Sequence, residues 1–283
     1  MTHEENERLL TLLSEYLCFQ PAAISPQAVS ALSAEAHLPV EEAYLVLLSA
    51  KLGLDPDCPS DWALMRGVLP KVVRHCDPAP YAQDAYLRRI APISGQHGHA
   101  TLTQDELAPM ELFVRDDFLP QDNGTCLPQL GWFDKSFRFP AVKENNRVWM
   151  TVTPNEINTI QPCVRQSRGR VLTFGLGLGY YAFHCLLKAD VQRVTVVERD
   201  ADIIALFRAL LLPHFPRPDA LEIIQADAFD YAKAHLSAYD TVFTDLWHDV
   251  SDGLPLYQRM KTLEVSGPTY LYWIEQTLRC YLP

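Results

Sequence analysis

The chain changes rhythm at residue 169, and the pattern from that point onward leaves few folds open. "RVLTF" is a compact apolar run, "YYAFHCLLKA" has helical spacing, and "RVTVVE" is a second run. "DADIIALFRALLLPHF" opens with acids and continues as a helix. "LEIIQ", "AFDYAKAHL" and "DTVFTDLW" then give a third strand, a short helix and a fourth strand. Strand and helix in alternation imply βαβ units and a parallel sheet. Between the first strand and its helix lies "GLGLG", which sets Gly175, Gly177 and Gly179 at alternate positions. Glycine lets the backbone turn tightly and lets a ligand come close without a side chain in the way. The helix behind the loop offers free N–H groups and the positive end of its dipole. In such a sheet, ligands sit beyond the carboxyl ends of the strands. The expected fold class is α/β: a Rossmann-like parallel sheet, preceded by a mostly helical N-terminal region.

The spacing of the glycines separates two kinds of nucleotide. The dinucleotide fingerprint GxGxxG needs glycine at its sixth position, where Tyr180 stands. The loop is GxGxG instead. Glu198 closes the second strand, Asp227 follows the third in "QADAF", and Asp245 ends the fourth in "FTDLW". Taken singly, each acid reads equally well as a surface or capping residue. Acids at the ends of three successive strands, beside a glycine loop on the first, point instead to one shared crevice.

This pattern resembles the motifs of class I S-adenosylmethionine (AdoMet)-dependent methyltransferases. The longer arrangement of strand, "TPNE", helix, "VLTFGLGLG", "VVERDADII", "ADAFDY" and "YDTVFTD", over about residues 145 to 250, looks like spermidine synthase and its relatives. The resemblance implies AdoMet as cofactor. It assigns Gly175, Gly177, Gly179 and Tyr180 to the loop that holds the cofactor. Glu198, with Arg199 beside it, would grip the ribose hydroxyls. Asp227 and Ala228 would read the adenine, and Asp245 would stand where substrate and transferred group meet. The activity implied is methyl transfer to a small-molecule acceptor. Spermidine synthase-like aminopropyl transfer and AdoMet binding without catalysis are the alternatives.

Three departures bear on that assignment. Spermidine synthases carry an Asp inside the glycine loop, and "GLGLGY" has none; methyltransferases often place an acid two residues before the first glycine, and here that residue is Thr173. The usual anchor for the methionine ammonium is therefore missing. The "DSSDP"-type motif becomes "DLWHDVSDG", in which Asp249 and Asp252 could rebuild an acidic mouth. The tail "PLYQRMKTLE" and "PTYLYWIEQTLRCYL" has helical spacing, so the sheet is expected to stop at its fourth strand. The later strands of a full methyltransferase sheet would be absent, replaced by the N-terminal half or supplied by a partner. Asp245 and His248 are the candidate catalytic residues, the latter also readable as a solvent-facing loop residue. Trp247, Asp249 and Asp252 are the candidate substrate-binding residues; the two acids read equally as turn formers beside Gly253. Trp247 and Tyr180 could stack on the adenine, or simply pack.

Upstream, the pattern is helical. Leu9, Leu10, Leu12, Leu13, Tyr16 and Leu17 share a helical face. "SPQAVSALSAEA" has Ser25 as cap and Pro26 at the first helical position. "PVEEAYLVLLSAKLG" has acids at its start, Lys51 at its end and a stop at Gly53. The last two have helix-turn-helix spacing, but the second carries Glu41 and Glu42 and no base before Lys51, so a bundle that packs, dimerises or lids the site is the better reading. "APMELFVRDDF" fits a helix or an edge strand. In "NRVWMTVTPNEINT", Val148, Met150 and Val152 share one face of a short strand, and a helix comes next with Thr153 as cap, Pro154 first and Glu156 third, as in a capping box. The expected domains are 1–130 (mostly helical), 131–168 (lead-in strands and helix) and 169–283 (AdoMet-binding).

A net charge of −11 from 24 basic and 35 acidic residues repels a phosphate backbone, so nucleic acid is an unsuitable partner; a small molecule, a cation among the options, suits it better. No apolar run is long enough to span a membrane, and "MTHEENERLL" is too polar for a secretory signal. The seven cysteines are scattered and odd in number, which predicts reduced thiols, and the expected location is cytoplasmic. "NGT" at 123–125 reads as a turn, and His97 and His99 in "SGQHGHA" as a solvated loop with no metal.

Overall fold

The computed structural model describes residues 2–90, 92–144 and 147–282. The chain divides into two units, Met1–Ala82 with Glu106–Arg138, and Gln83–Asp105 with Phe139–Pro283.

In the first unit, α1 (His3–Phe19) begins at a capping box in which Thr2 and Glu5 bond each other's backbone, and it buries Leu9, Leu13 and Tyr16 on one face. α2 (Pro26–Ala36) starts as its sequence predicts, with Ser25 accepting from the Ala28 N–H and Pro26 in the first turn. α3 (Val40–Lys51) comes next, then the short α4 (Pro59–Ala63) and α5 (Leu69–Val72), strand β1 (Val73–Cys76) and α6 (Ala79–Ala82).

The chain then enters the second unit with α7 (Ala85–Ile90), β2 (Gly95–His97) and β3 (Ala100–Leu107). It returns to the first unit with β4 (Phe113–Pro120) and β5 (Cys126–Phe133), which complete a three-stranded sheet in the order β1-β5-β4. The edge-strand alternative for "APMELFVRDDF" is thus the one realised. Strands β1 to β4 and the start of β5 fall within residues 1–130, where the sequence reading has a mostly helical region. Trp132 of β5 stacks on Tyr44 of α3 (4.5 Å between centroids) and on His75 of β1 (4.2 Å), within a core of Leu9, Leu48, Leu64 and Leu69.

The second unit continues with β6 (Phe137–Glu144) and β7 (Arg147–Thr151), which give a four-stranded sheet in the order β2-β3-β6-β7. Asn146, where the sequence reading starts β7, lies outside the described residues. α8 (Pro154–Gln166) leads into β8 (Gly169–Phe174), α9 (Tyr180–Leu187), β9 (Val191–Glu198), α10 (Ala201–Leu206), β10 (Leu221–Gln225), α11 (Ala228–His235), β11 (Thr241–Thr244), α12 (Val250–Lys261), β12 (Thr269–Tyr272) and α13 (Glu275–Arg279). β8 to β12 form one sheet in the order β10-β9-β8-β11-β12, every pair of neighbours parallel. This is a Rossmann-like α/β fold, whose strand order reverses beside β8, at its topological switch point.

The sheet has one strand more than the sequence reading allows. The spacing of "PTYLYWIEQTLRCYL" predicts helix, but Thr269–Tyr272 pairs along β11 in register Thr241↔Thr269 to Thr244↔Tyr272. Only the last part, α13, is helix. Reduced thiols hold for Cys18, Cys58, Cys76, Cys163 and Cys185; Cys126 and Cys280 are disulfide-bonded, against that expectation. Among the described residues no helix is long and apolar enough to cross a membrane.

Candidate functional site

The carboxyl ends of β8, β9, β10 and β11 open onto one cavity of about 640 Å³ in the second unit, within the size range of small-ligand sites. Gly175, Gly177, Gly179, Tyr180, Glu198, Arg199, Asp227, Ala228, Asp245, Trp247, His248 and Asp252 all line it. The glycine loop and the three strand-end acids thus share a single crevice.

The three glycines have three different reasons to be glycine. All have positive φ: +92° at Gly175, +53° at Gly177 and +77° at Gly179. A Cβ on Gly175 would collide with the backbone oxygen of Asp245, so this residue lets β8 and β11 close together at their ends. A Cβ on Gly179 would lie 2.6 Å from Phe207 and 2.7 Å from Phe215, so here the need is packing against buried rings. A Cβ on Gly177 would meet only the Met150 Sδ, at 3.6 Å. It would project beside the cavity, and it is the glycine whose role is access.

Glu198 holds the rim together. One oxygen accepts from the Leu176 N–H (3.0 Å) and the other from the N–H groups of Arg199 (2.8 Å) and Asp200 (2.9 Å). A carboxylate has about four acceptor positions, so Glu198 keeps capacity for a hydroxyl. Asp227 caps α11, with Oδ1 accepting from Phe229 (2.9 Å) and Asp230 (3.0 Å). Capping and cavity lining are therefore compatible in this residue.

Tyr180 is only 4 % exposed. Its hydroxyl donates to Asp84 Oδ2 (3.0 Å) and accepts from the Gln161 amide (2.8 Å), so it forms cavity wall and not a free stacking platform. Asp84 gathers more: the N–H groups of Tyr86 and Leu87, and His184 at 3.2 Å. Desolvation works against its charge, but His184, the Leu87 N–H and Tyr180 hold its pKa below the ordinary carboxylate value. Tyr86 in turn donates to the Leu178 carbonyl inside the glycine loop (2.6 Å). The network that braces the loop is drawn from a segment about ninety residues upstream, and nothing in the local sequence announces it.

The most consequential residue that sequence reasoning misses is Glu156. The capping box expected at Thr153 does not form: Thr153 precedes α8 without a side-chain bond to it. Glu156 lines the cavity instead, as does Asp245. Burial pushes Asp245 up to about 7. Burial, and then the charge of Asp245, push Glu156 well above its usual value. Two carboxyl groups enclosed together cannot both ionise cheaply, and such pairs are a mark of functional sites.

The mouth differs from expectation. Asp249 does not line the cavity; it caps α12, accepting from the Ser251 N–H (2.7 Å), because a helix start needs an acceptor there. Asp252 lines the cavity but is engaged by the N–H groups of His248 and Asp249 and by His248 Nδ1 (3.0 Å). His248 is exposed and stands edge-on to Trp149 of β7, 4.2 Å between centroids. Trp247 is buried, and its Nε1 has no hydrogen-bond partner among the described residues. Thr173, at the position of the missing acid, lines the cavity as a buried hydroxyl.

No protein-family model matches the chain, and no curated protein matches it in sequence. Among the solved structures that resemble it in part are three of low sequence identity. Spermidine synthase from Thermotoga maritima is 14 % identical over 63 % of this chain and 54 % of that one, with a TM-score of 0.36. A spermidine synthase in complex with the transition state analogue AdoDATO is 15 % identical over 55 % of this chain and 46 % of that one, TM-score 0.32. A precorrin 8w decarboxylase from Methanobacterium thermoautotrophicum is 17 % identical over 42 % of this chain and 62 % of that one, TM-score 0.31. The matched part takes in less than two thirds of each of these chains.

Proposed function

We propose that the second unit binds an adenosyl-sulfonium donor of the AdoMet type and transfers a methyl group from it to a small nucleophile. The observation that carries this reading is the convergence of Gly177, Glu198, Asp227 and Asp245 on one cavity at the carboxyl edge of a parallel sheet. The adenosine half of such a ligand fits the residues present. Gly177 leaves its approach open, Glu198 has acceptor capacity for a ribose hydroxyl, and Asp227 lies at the third strand end for an amino group. The methionine ammonium finds no carboxylate at Thr173, so the reading rests on the adenosyl end.

When bound, the donor supplies an electrophilic carbon on a positive sulfur. The chain's own residues align a nucleophile and exclude water. A nucleophile that arrives protonated needs a base whose pKa lies near the working pH. Asp245 has that property: raised to about 7, it is part ionised at neutral pH and can take a proton within the cavity. Glu156, held higher, stays protonated there. The cavity is thus lined by one carboxyl that can donate a proton and one that can accept it. An amine entering as its ammonium form is the acceptor such a pair suits best. His248 is exposed and tied to Asp252, so the reading gives the base to Asp245 rather than to His248.

Isothermal titration calorimetry with AdoMet and with S-adenosylhomocysteine tests the reading. Both are expected to bind one per chain, and Asp227→Ala and Glu198→Gln each to weaken binding by about tenfold or more. Folded protein that binds neither ligand ends the proposal. Tight binding of decarboxylated AdoMet in place of both would shift it to aminopropyl transfer.

A further inference from the structure

His97 and His99, expected to be a solvated loop, are not one. His97 ends β2, and His99 is the second residue of the two-residue turn that joins β2 to β3 in register His97↔Ala100. A Cβ on Gly98, at φ +54°, would collide with the Asp202 carboxylate, so this turn is fitted closely over the start of α10. His99 Nδ1 lies 2.7 Å from Asp202 Oδ2, and the His99 N–H reaches the same oxygen at 3.2 Å. Nδ1 therefore carries the hydrogen, and Nε2 is left as the free lone pair. That lone pair faces Asp200 Oδ2 at 3.2 Å and Glu144 Oε1 at 3.7 Å. A lone pair and two carboxylates pointed at one another repel unless a cation lies between them.

The distances suit a metal ion. Zinc sits 2.0–2.2 Å from nitrogen and oxygen ligands, so tetrahedral neighbours stand about 3.4 Å apart. The ligand atoms of His99, Glu144 and Asp200 all lie within 4.8 Å of one another, and two of the separations already bracket that value. They come from three elements, the β2–β3 turn, β6 and the start of α10, each fixed by its own hydrogen bonding. Asp200 uses Oδ1 to cap α10, accepting from Asp202 (2.8 Å) and Ile203 (3.1 Å), which leaves Oδ2 for the site. Asp202 behind His99 supplies what a metal-binding histidine nearly always has, a carboxylate on its other nitrogen that sets the tautomer and raises its basicity. His97 Nδ1, 3.6 Å from the other oxygen of Asp202, shares that support.

We propose that His99, Glu144 and Asp200 form a site for one divalent transition-metal ion of the zinc class, with Asp202 as the group that orients His99. Three protein ligands leave the fourth position for water. One nitrogen and two oxygens are a borderline-hard set, suited to Zn²⁺, Co²⁺ or Mn²⁺ rather than to Cu⁺. Asp200 lies two residues past Glu198, and its N–H bonds that side chain, so an ion here ties the rim of the cavity to the smaller sheet. The competing occupant is a proton. Desolvation disfavours a charged His99, but Asp200, Asp202 and Glu144 outweigh it and raise its pKa.

Equilibrium dialysis of the untagged full chain against Zn²⁺ at pH 7.5, read by elemental analysis, distinguishes the two, with Co²⁺ absorption reporting the ligand field. The proposal expects one ion per chain with a Kd of about 1 µM or tighter. His99→Ala and Glu144→Gln are each expected to weaken it at least about tenfold, and Asp202→Asn by about tenfold. Circular dichroism reports folding. If His99→Ala does not fold, Glu144→Gln, which keeps the size and shape of the side chain, decides the matter. Wild-type protein that retains no ion means a protonated ion-pair hub and overturns the proposal. An ion bound as tightly by folded Glu144→Gln as by wild type lies elsewhere and overturns it equally.

Discussion

Replacing Gly177 and Gly179 one at a time by alanine separates access from packing within a single loop. At Gly177, φ is +53° and the new Cβ meets only the Met150 sulfur at 3.6 Å, an ordinary contact. The penalty is the left-handed backbone alone, about 1 kcal/mol. For a unit of roughly 150–250 residues that lowers Tm by about 2–4 °C. At Gly179 the same backbone term applies, at φ +77°, and the Cβ lands 2.6 Å and 2.7 Å from the rings of Phe207 and Phe215. Both rings are buried, at 0 % and 5 % exposure, and cannot swing away. Overpacking adds about 1–3 kcal/mol. The total of about 2–4 kcal/mol lowers Tm by roughly 5–15 °C. Thermal unfolding followed by circular dichroism reads the first quantity, and calorimetry with S-adenosylhomocysteine the second. Gly177→Ala should melt close to wild type yet bind at least about tenfold more weakly, a loss of ~1.4 kcal/mol. If folded Gly177→Ala binds like wild type, the ligand does not pass over this loop. A Gly179→Ala protein that melts within about 2 °C of wild type would falsify the packing argument.

Other perturbations probe other parts of the site. Asp245 has a folded-state pKa of about 7 against about 3.9 unfolded, so the native state binds the extra proton and stability falls as pH rises from ~4 through ~7, by at most about 4 kcal/mol. Urea titrations at pH 5 and pH 8 should show this slope in wild type and a flatter one in Asp245→Asn, which should be the more stable at pH 8; equal slopes would refute the assignment. Asp84→Ala removes the acceptor for Tyr180, His184 and the first turn of α7, which is expected to cost about 3 kcal/mol in thermal or urea unfolding. Asp249→Ala should cost about 1 kcal/mol as a lost cap and leave ligand affinity unchanged. Asp227→Ala should lose both its cap and affinity, and calorimetry that finds the two variants alike would remove Asp227 from the site.

How much of this could be read from the sequence depends on how local each determinant is. A buried parallel strand is a short apolar run, and its carboxyl end is where the chain must turn, so "RVLTF", "RVTVVE" and "DTVFTD" disclose the strands, and the last two also the acids at their ends. β12 escapes because "TYLY" is four residues long and flows straight into α13, so no alternation has room to develop. β5 escapes, and β4 stays undecided between helix and edge strand, because bulges shift their register between Val114 and Asp116 and again before Leu119, which breaks the two-residue period. Glu156 escapes for another reason. "TPNE" is a sound capping pattern, and only the cavity beside α8 offers the side chain a different place to go. Asp84 and His99 act through partners about one hundred residues away, beyond the reach of any local pattern.

The missing acid at position 173 and the enclosed pair at 156 and 245 bear on the same question. A site that grips the amino-acid tail of its donor spends its carboxylate on the ammonium, far from the reacting carbon. Here the buried hydroxyl of Thr173 turns back to the Gly175 carbonyl, at 3.4 Å, and offers that tail no charge. The two carboxyl groups whose charge burial suppresses, Asp245 and Glu156, line the same cavity. A positive sulfur or an incoming ammonium placed there would favour the ionised form of Asp245 and gain a carboxylate as counter-charge. Recognition would then come from charge that develops or arrives at the reacting end. Interactions of that kind favour the transition state over the bound donor.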